Sequence, residues 1–127
     1  MMRPTDSRED YLETILLLMQ EKGYARSIDV AERLGVTKPS VSRAMSLLKE
    51  ARLLEMDPHD STLILTEAGR ALAEQVYERH CTLARFLEAV GVGADVAAQD
   101  ACRIEHVISE DSMSCIRRFL EAKENCQ

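Results

Sequence analysis

Residues 27–54 read SIDVAERLGVTKPSVSRAMSLLKEARLL, and the glycine inside that stretch decides how the chain folds. Ser27 is a residue type that caps helices, and Ile28, Val30, Ala31 and Leu34 give the segment after it an apolar side. Gly35 breaks this short helix, since glycine enters left-handed backbone without strain. Thr37 then caps a second helix, predicted to run to about Ala51, whose Val41, Met45, Leu47 and Leu48 face the apolar side of the first. The product is helix, tight turn, helix. Left on the outer face of the second helix are Lys38, Ser40, Ser42, Arg43, Ser46 and Lys49, with Thr37 and Pro39 at its start.

Working outward, LLEMDPHDSTLILT follows Arg52, with two short apolar runs on either side of Asp57-Pro58-His59-Asp60. That pattern predicts a hairpin with a polar tip. A helix-turn-helix followed by a hairpin is a winged helix. Before it, a first helix is expected from about Asp6 to Lys22, capped by Asp6 or Ser7, with an apolar face of Tyr11, Leu12, Ile15, Leu16, Leu18 and Met19, and stopped by Gly23. After it, Thr66 and Glu67 open a long helix that can reach Val90, where Gly91 ends it. A helix of roughly Asp95 to Ser109 comes next, and Asp111 or Ser112 caps a last one through about Ala122. The fold class is mostly α, with one small β-hairpin.

The make-up of the 127 residues agrees: 46% hydrophobic, 30% charged, with 5 Gly and 3 Pro, as in a folded helix-rich protein. No apolar run approaches the roughly 20 residues of a membrane span, and MMRPTDSRED lacks an apolar signal region, so a cytoplasmic protein with no membrane partner is expected. Cys81, Cys102, Cys115 and Cys126 form no CxxC pair and are read as reduced thiols. The net charge of −6 is unevenly spread. From Lys22 to Arg52 seven basic residues, Arg26 among them, face three acidic ones, a net of +4 that leaves −10 elsewhere. A polyanion can dock only there. Small hydroxyls and a proline permit close approach to a major groove, Arg43 can offer two donors to guanine, and Lys38 and Lys49 suit phosphates.

A second chemistry lies in ACRIEHVIS, residues 101–109. If this stretch is helical, Cys102, Glu105 and His106 sit at i, i+3 and i+4 and leave one face. The bland alternative is a small buried thiol with a carboxylate and an imidazole at a helix rim. EDYLE puts Asp10 and Glu13 on one face of the first helix, and YERHC places His80 midway along the long one. Separately these are solvated or capping residues. Together they offer oxygen, nitrogen and sulfur donors from three helices, which suits a divalent transition metal.

EDYLE, the winged helix with KPSVSRAMSLLKE, RH on a long helix and then CRIEHVIS together resemble the diphtheria toxin repressor and manganese transport regulator family of metal-dependent repressors, over nearly the whole chain. The resemblance implies a winged-helix DNA-binding domain at 1–70 and a helical dimerisation and metal-binding domain at 71–127. It implies Asp10, Glu13, His80, Cys102, Glu105 and His106 as ligands of Mn2+ or Fe2+, with Zn2+ or Co2+ able to bind in vitro. It also implies a homodimer on double-stranded DNA carrying a palindromic operator. Asp10, Glu13 and His80 resemble the manganese-type branch, which usually has a carboxylate where this chain has Cys102; the cysteine is the iron-type choice. Positions that would furnish a second iron-type site are Ala84 and Ala98 here, so one metal per subunit or two stays open. Two other classes compete. An enzyme using Cys102 and His106 would need a separate acid, an oxyanion hole or a substrate loop, and the sequence offers none, so no enzyme is expected. A winged-helix regulator sensing a small molecule or thiol oxidation without metal would bind DNA metal-free.

Overall fold

The computed structural model describes residues 4–125, with side chains from residue 8 onward. Cys126 and the side chains of Asp6 and Ser7, the expected caps of the first helix, lie outside the described residues. Among those described, the order is α1 (Pro4–Lys22), α2 (Ser27–Leu34), α3 (Lys38–Glu50), β1 (Leu54–Met56), β2 (Leu63–Leu65), α4 (Glu67–Ala89), α5 (Ala94–Ile104) and α6 (Glu110–Asn125). The chain divides into two compact units, Met1–Glu74 and Gln75–Gln127, the division falling inside α4.

In the first unit α1 packs on α2, α3 and β2, and α3 packs on β1. The core takes Leu12, Ile15, Leu16 and Leu18 from α1, Val30 and Ala31 from α2, Val41, Met45 and Leu48 from α3, and Leu54, Leu63 and Leu65 from the hairpin. Ile28 and Leu47, expected in that core, are 48% and 57% exposed instead. On α3 the buried residues recur at four and then three positions, the helical stripe, and Leu47 lies off it by two residues from Met45. The cap of α2 also differs. Arg26, not Ser27, occupies the cap position, and the Asp29 carboxylate accepts the Arg26 N–H at 3.2 Å. Thr37 caps α3 as expected, accepting the Ser40 N–H at 3.3 Å, and Gly35 between the two helices has φ 67°.

β1 and β2 pair antiparallel, Leu54 opposite Leu65 and Met56 opposite Leu63. The tip is closed by its own polar groups: Asp57 accepts from the His59 N–H at 2.8 Å, and Asp60 accepts from the Thr62 hydroxyl at 2.8 Å. The hairpin base is locked to α4 because the Leu53 carbonyl accepts from Thr66 N–H at 3.2 Å and the Arg52 carbonyl from the Thr66 hydroxyl at 2.8 Å. Gly69 rides directly over this joint, where a β-carbon would stand 1.9 Å from the Leu53 carbonyl oxygen.

In the second unit Leu83 of α4, Ala101 of α5 and Met113 of α6 form a buried centre, with Ala84, Ile104, Ile108 and Ile116 packed around it. Phe86 and Phe119 meet edge to face, centroids 5.7 Å apart, and Arg117 of α6 grips Glu78 of α4 at 2.7 Å. Here α5 stops at Ile104, five residues short of the expected Ser109. The Ile104 carbonyl accepts from both Val107 and Ile108 N–H groups at 3.0 Å, and Ser109, rather than Asp111 or Ser112, caps α6 by accepting the Ser112 N–H at 3.1 Å. Ile104 and Ile108, on either side of the break, both pack against the Leu83 cluster. The break leaves Glu105 at the end of a helix and His106 in a turn.

Candidate metal centre and nucleic-acid interface

Four of the six expected metal ligands belong to the second unit, and α4 and the end of α5 bring them together. Donor atoms of His80, Cys102 and Glu105 all lie within 4.8 Å of one another. His80 Nδ1 stands 3.2 Å from Glu105 Oε2, and His106 Nε2 stands 3.5 Å from Glu105 Oε1. Glu105 is fully buried and the His106 side chain is 5% exposed, whereas Cys102 is exposed. That exposure removes the bland reading of Cys102 as a buried apolar thiol. Asp10 and Glu13 belong to the first unit, one turn apart on the same face of α1, with Glu13 buried and Asp10 half-buried.

Burying a full carboxylate costs several kcal/mol unless opposite charge answers it. The His80 imidazole answers here. The Cys102 sulfur, and after it the Glu105 carboxylate, push His80 up to about 10 against the opposing effect of burial. A raised histidine contributes stability that is full below the ordinary imidazole range and is lost as pH rises through about 10. A metal taking this nitrogen would have to displace the imidazolium proton, so its affinity would rise with pH across the neutral range.

Chemically the set fits a divalent transition metal. His80 Nδ1 is buried and, despite its 3.2 Å approach to Glu105, makes no hydrogen bond of normal alignment. That buried nitrogen, which becomes a donor once its proton is displaced, lies with a carboxylate, a second imidazole and a thiol in a mixed N, O, S set of the kind that binds Mn2+, Fe2+ or Zn2+. The thiol is the softest donor of that set. Replacing Cys102 with Glu is expected to strengthen Mn2+ relative to Zn2+, because a carboxylate is harder than a thiolate. Calorimetric titration of both metals into the parent and the variant checks this; an unchanged order of affinities would remove Cys102 from the ligand set.

The other expected surface lies on α3. Lys38, Ser40, Ser42, Arg43, Ser46 and Lys49 are all exposed, on the side away from the buried stripe. The Thr37 hydroxyl is spent on capping and on Ser40 Oγ, 2.9 Å away, while Pro39 in the first turn gives up an N–H that would have no helical partner there. Ser42, Arg43 and Ser46 are therefore exposed side chains that the cap does not engage. Arg26 stacks over the Tyr24 ring at 5.3 Å, which orients its guanidinium at the start of α2.

Sequence reasoning missed Arg79. Its Nη1 donates to the backbone carbonyl of Glu105 at 3.3 Å and its Nη2 to Glu110 at 3.2 Å. The partners lie 26 and 31 residues away, and no periodicity marks such a pair.

Residues 4–61 match the family model described as the iron dependent repressor N-terminal DNA binding domain, and residues 66–127 match that of the iron dependent repressor metal binding and dimerisation domain. The transcriptional regulator MntR of Escherichia coli O157:H7 is 38% identical over 113 residues, which are 89% of this chain and 72% of that protein. The HTH-type transcriptional regulator MntR of Geobacillus thermodenitrificans (strain NG80-2) is 36% identical over 134 aligned positions, covering 98% of this chain and 94% of that one. Among solved structures, the manganese regulator SloR superposes with a TM-score of 0.80 at 28% identity, over 94% of this chain and 55% of its own. A manganese-dependent transcriptional repressor in complex with manganese gives 0.81 at 29% identity, over 90% and 52%. This chain spans about half the length of those two solved proteins.

Proposed function

The chain belongs to the iron-dependent repressor family, the diphtheria toxin repressor and manganese transport regulator family that its sequence resembles, and from that premise we propose that it is a homodimeric, metal-activated DNA-binding repressor that governs metal homeostasis. The observation that carries the reading is the convergence of His80, Cys102 and Glu105 on one point, with a buried imidazole nitrogen left without a well-aligned partner. We assign Asp10, Glu13, His80, Cys102, Glu105 and His106 as the ligands, Mn2+ or Fe2+ as the activating ion, and Zn2+ or Co2+ as ions that bind in vitro. On this reading the protein regulates rather than catalyses, and acts in the cytoplasm. Among the described residues no helix is long and apolar enough to cross a membrane.

When bound, the cation supplies the positive charge that lets several acidic donors share one site. The rest belongs to the chain. Asp10 and Glu13 carry ligands on the DNA-binding unit, and His80, Cys102, Glu105 and His106 carry them on the other, so ligation selects arrangements in which both halves are fixed. In a dimer, two α3 helices so fixed match half-sites about one helical turn apart on a palindromic operator. By reciprocity DNA tightens metal binding. Arg43 reads a base, while Lys38, Lys49 and Arg26 hold phosphates.

Mobility shift of operator DNA with metal and with chelator tests the proposal, and retention of full affinity in chelator would defeat it. That outcome would favour the alternative, a winged-helix regulator sensing a small molecule or oxidation of the exposed Cys102 thiol without metal. Within the assay, Arg43→Ala is expected to cost about 1–3 kcal/mol on the operator and relax sequence preference, whereas Lys49→Ala weakens all duplexes alike and lowers the salt slope by about one. Equal losses on specific and random duplex for both variants contradict those roles.

A further inference from the structure

We infer that Arg79 is a positioning residue for the metal centre, holding the backbone of Glu105 so that its carboxylate meets the two imidazoles. The inference rests on the reading of His80, Cys102, Glu105 and His106 as ligands. Glu105 is the C-terminal cap of α5: its N–H still donates to the Ala101 carbonyl at 3.0 Å, while its own carbonyl lies beyond the helix and takes a side-chain donor instead. Helix α4 reaches it twice from adjacent residues. The His80 imidazole approaches the Glu105 carboxylate at 3.2 Å, and the Arg79 guanidinium donates to the Glu105 carbonyl at 3.3 Å.

Arg79 is itself held. Its Nη2 donates to Glu110 at 3.2 Å, and Glu110 accepts at 2.8 Å from Arg117, whose other Nη donates to Glu78 at 2.7 Å, back on α4. The circuit joins the first turn of α6, the end of α5 and α4 around the turn that carries Glu105 and His106. Arg79 Nε is meanwhile buried with no hydrogen-bond partner among the described residues. Such a donor costs about 1–3 kcal/mol, which a side chain at liberty to swing into water would not sustain. Only 19% of the Arg79 side chain is exposed. The guanidinium stays because its two Nη groups are engaged, and one of them is engaged on a ligand's own backbone. Groups that orient a metal ligand in this way influence the ion without touching it.

Co2+ titrated anaerobically into the full chain provides both an affinity and an absorption spectrum that reports ligand geometry. Arg79→Gln is expected to lower Co2+ affinity by about 10- to 100-fold and to change the visible bands, and Arg79→Lys to recover part of both. Glu110→Gln, which loosens the other anchor of Arg79, is expected to give a smaller loss in the same direction. An Arg79→Gln chain with parental affinity and spectrum overturns the positioning role. So does a lowered thermal midpoint of the metal-free variant with affinity and spectrum unchanged well below that midpoint, since that is support of the fold alone. If Arg79→Gln does not fold, Arg79→Lys and Glu110→Gln decide, and parental behaviour in both overturns the role. A parent chain that takes up no Co2+ overturns the ligand assignment itself, a result distinct from all of these.

Discussion

Replacing His106 with alanine is expected to leave a folded protein whose DNA binding no longer answers to metal. The imidazole faces the buried Glu105 carboxylate at 3.5 Å with only 5% of the side chain exposed, and alanine leaves no protein donor atom in its place. Losing a direct ligand should cost more than the roughly 100-fold that loss of an outer partner costs in metal affinity. Moving a two-state population from 1:99 to 99:1 takes about 10⁴-fold differential binding, and a site weakened to that degree falls short. The truncation also removes packing, at about 1–3 kcal/mol, so circular dichroism and a thermal midpoint accompany the mobility shift. A His106→Ala protein that is folded and still responds to Mn2+ at the parental concentration would show that this histidine is not a ligand.

The second large effect is on stability. Gly69→Ala adds one methyl group at a point 1.9 Å from the Leu53 carbonyl oxygen, which is backbone and already engaged by the Thr66 N–H. No rotamer relieves the overlap. Either the first turn of α4 must lift, breaking the Thr66 contacts to Arg52 and Leu53, or the hairpin base must move. The expected cost is at least about 3 kcal/mol, and a midpoint lowered by about 10 °C or more. Thermal unfolding of the metal-free chain followed at 222 nm measures it; a shift under a few degrees would mean that the joint is softer than this packing implies.

These two positions differ in how visible they are in the sequence. His106 lies in a run whose residue types announce ligation, and so do His80 and Glu105. Gly69 looks like any glycine in a helix, because what excludes a side chain there is a carbonyl sixteen residues earlier. The helix-turn-helix was legible for a local reason: Gly35, Thr37 and the apolar spacing act within a few residues of one another. The end of α5 was not. ACRIEHVIS satisfies helical periodicity throughout, and Ser109, Asp111 and Ser112 are all competent caps, so nothing local singled out Ser109, whose hydroxyl accepts the Ser112 N–H. Ile28 and Leu47 show the reverse error. Both are apolar, yet the turn directs them outward. The Arg79 circuit was invisible because each of its bonds, apart from that between Arg117 and Glu110, spans 26 residues or more.

The interruption between α5 and α6 bears on time as well as on geometry. Two amides, those of Val107 and Ile108, share the single carbonyl of Ile104, so this stretch has fewer independent backbone restraints than the helices on either side and is expected to open more readily than they do. Openings of that kind admit deuterium from solvent, and a cation held by Glu105 and His106 would suppress them in proportion to its occupancy. How long the protein stays committed to its operator after metal is withdrawn would be set by how often these few residues breathe.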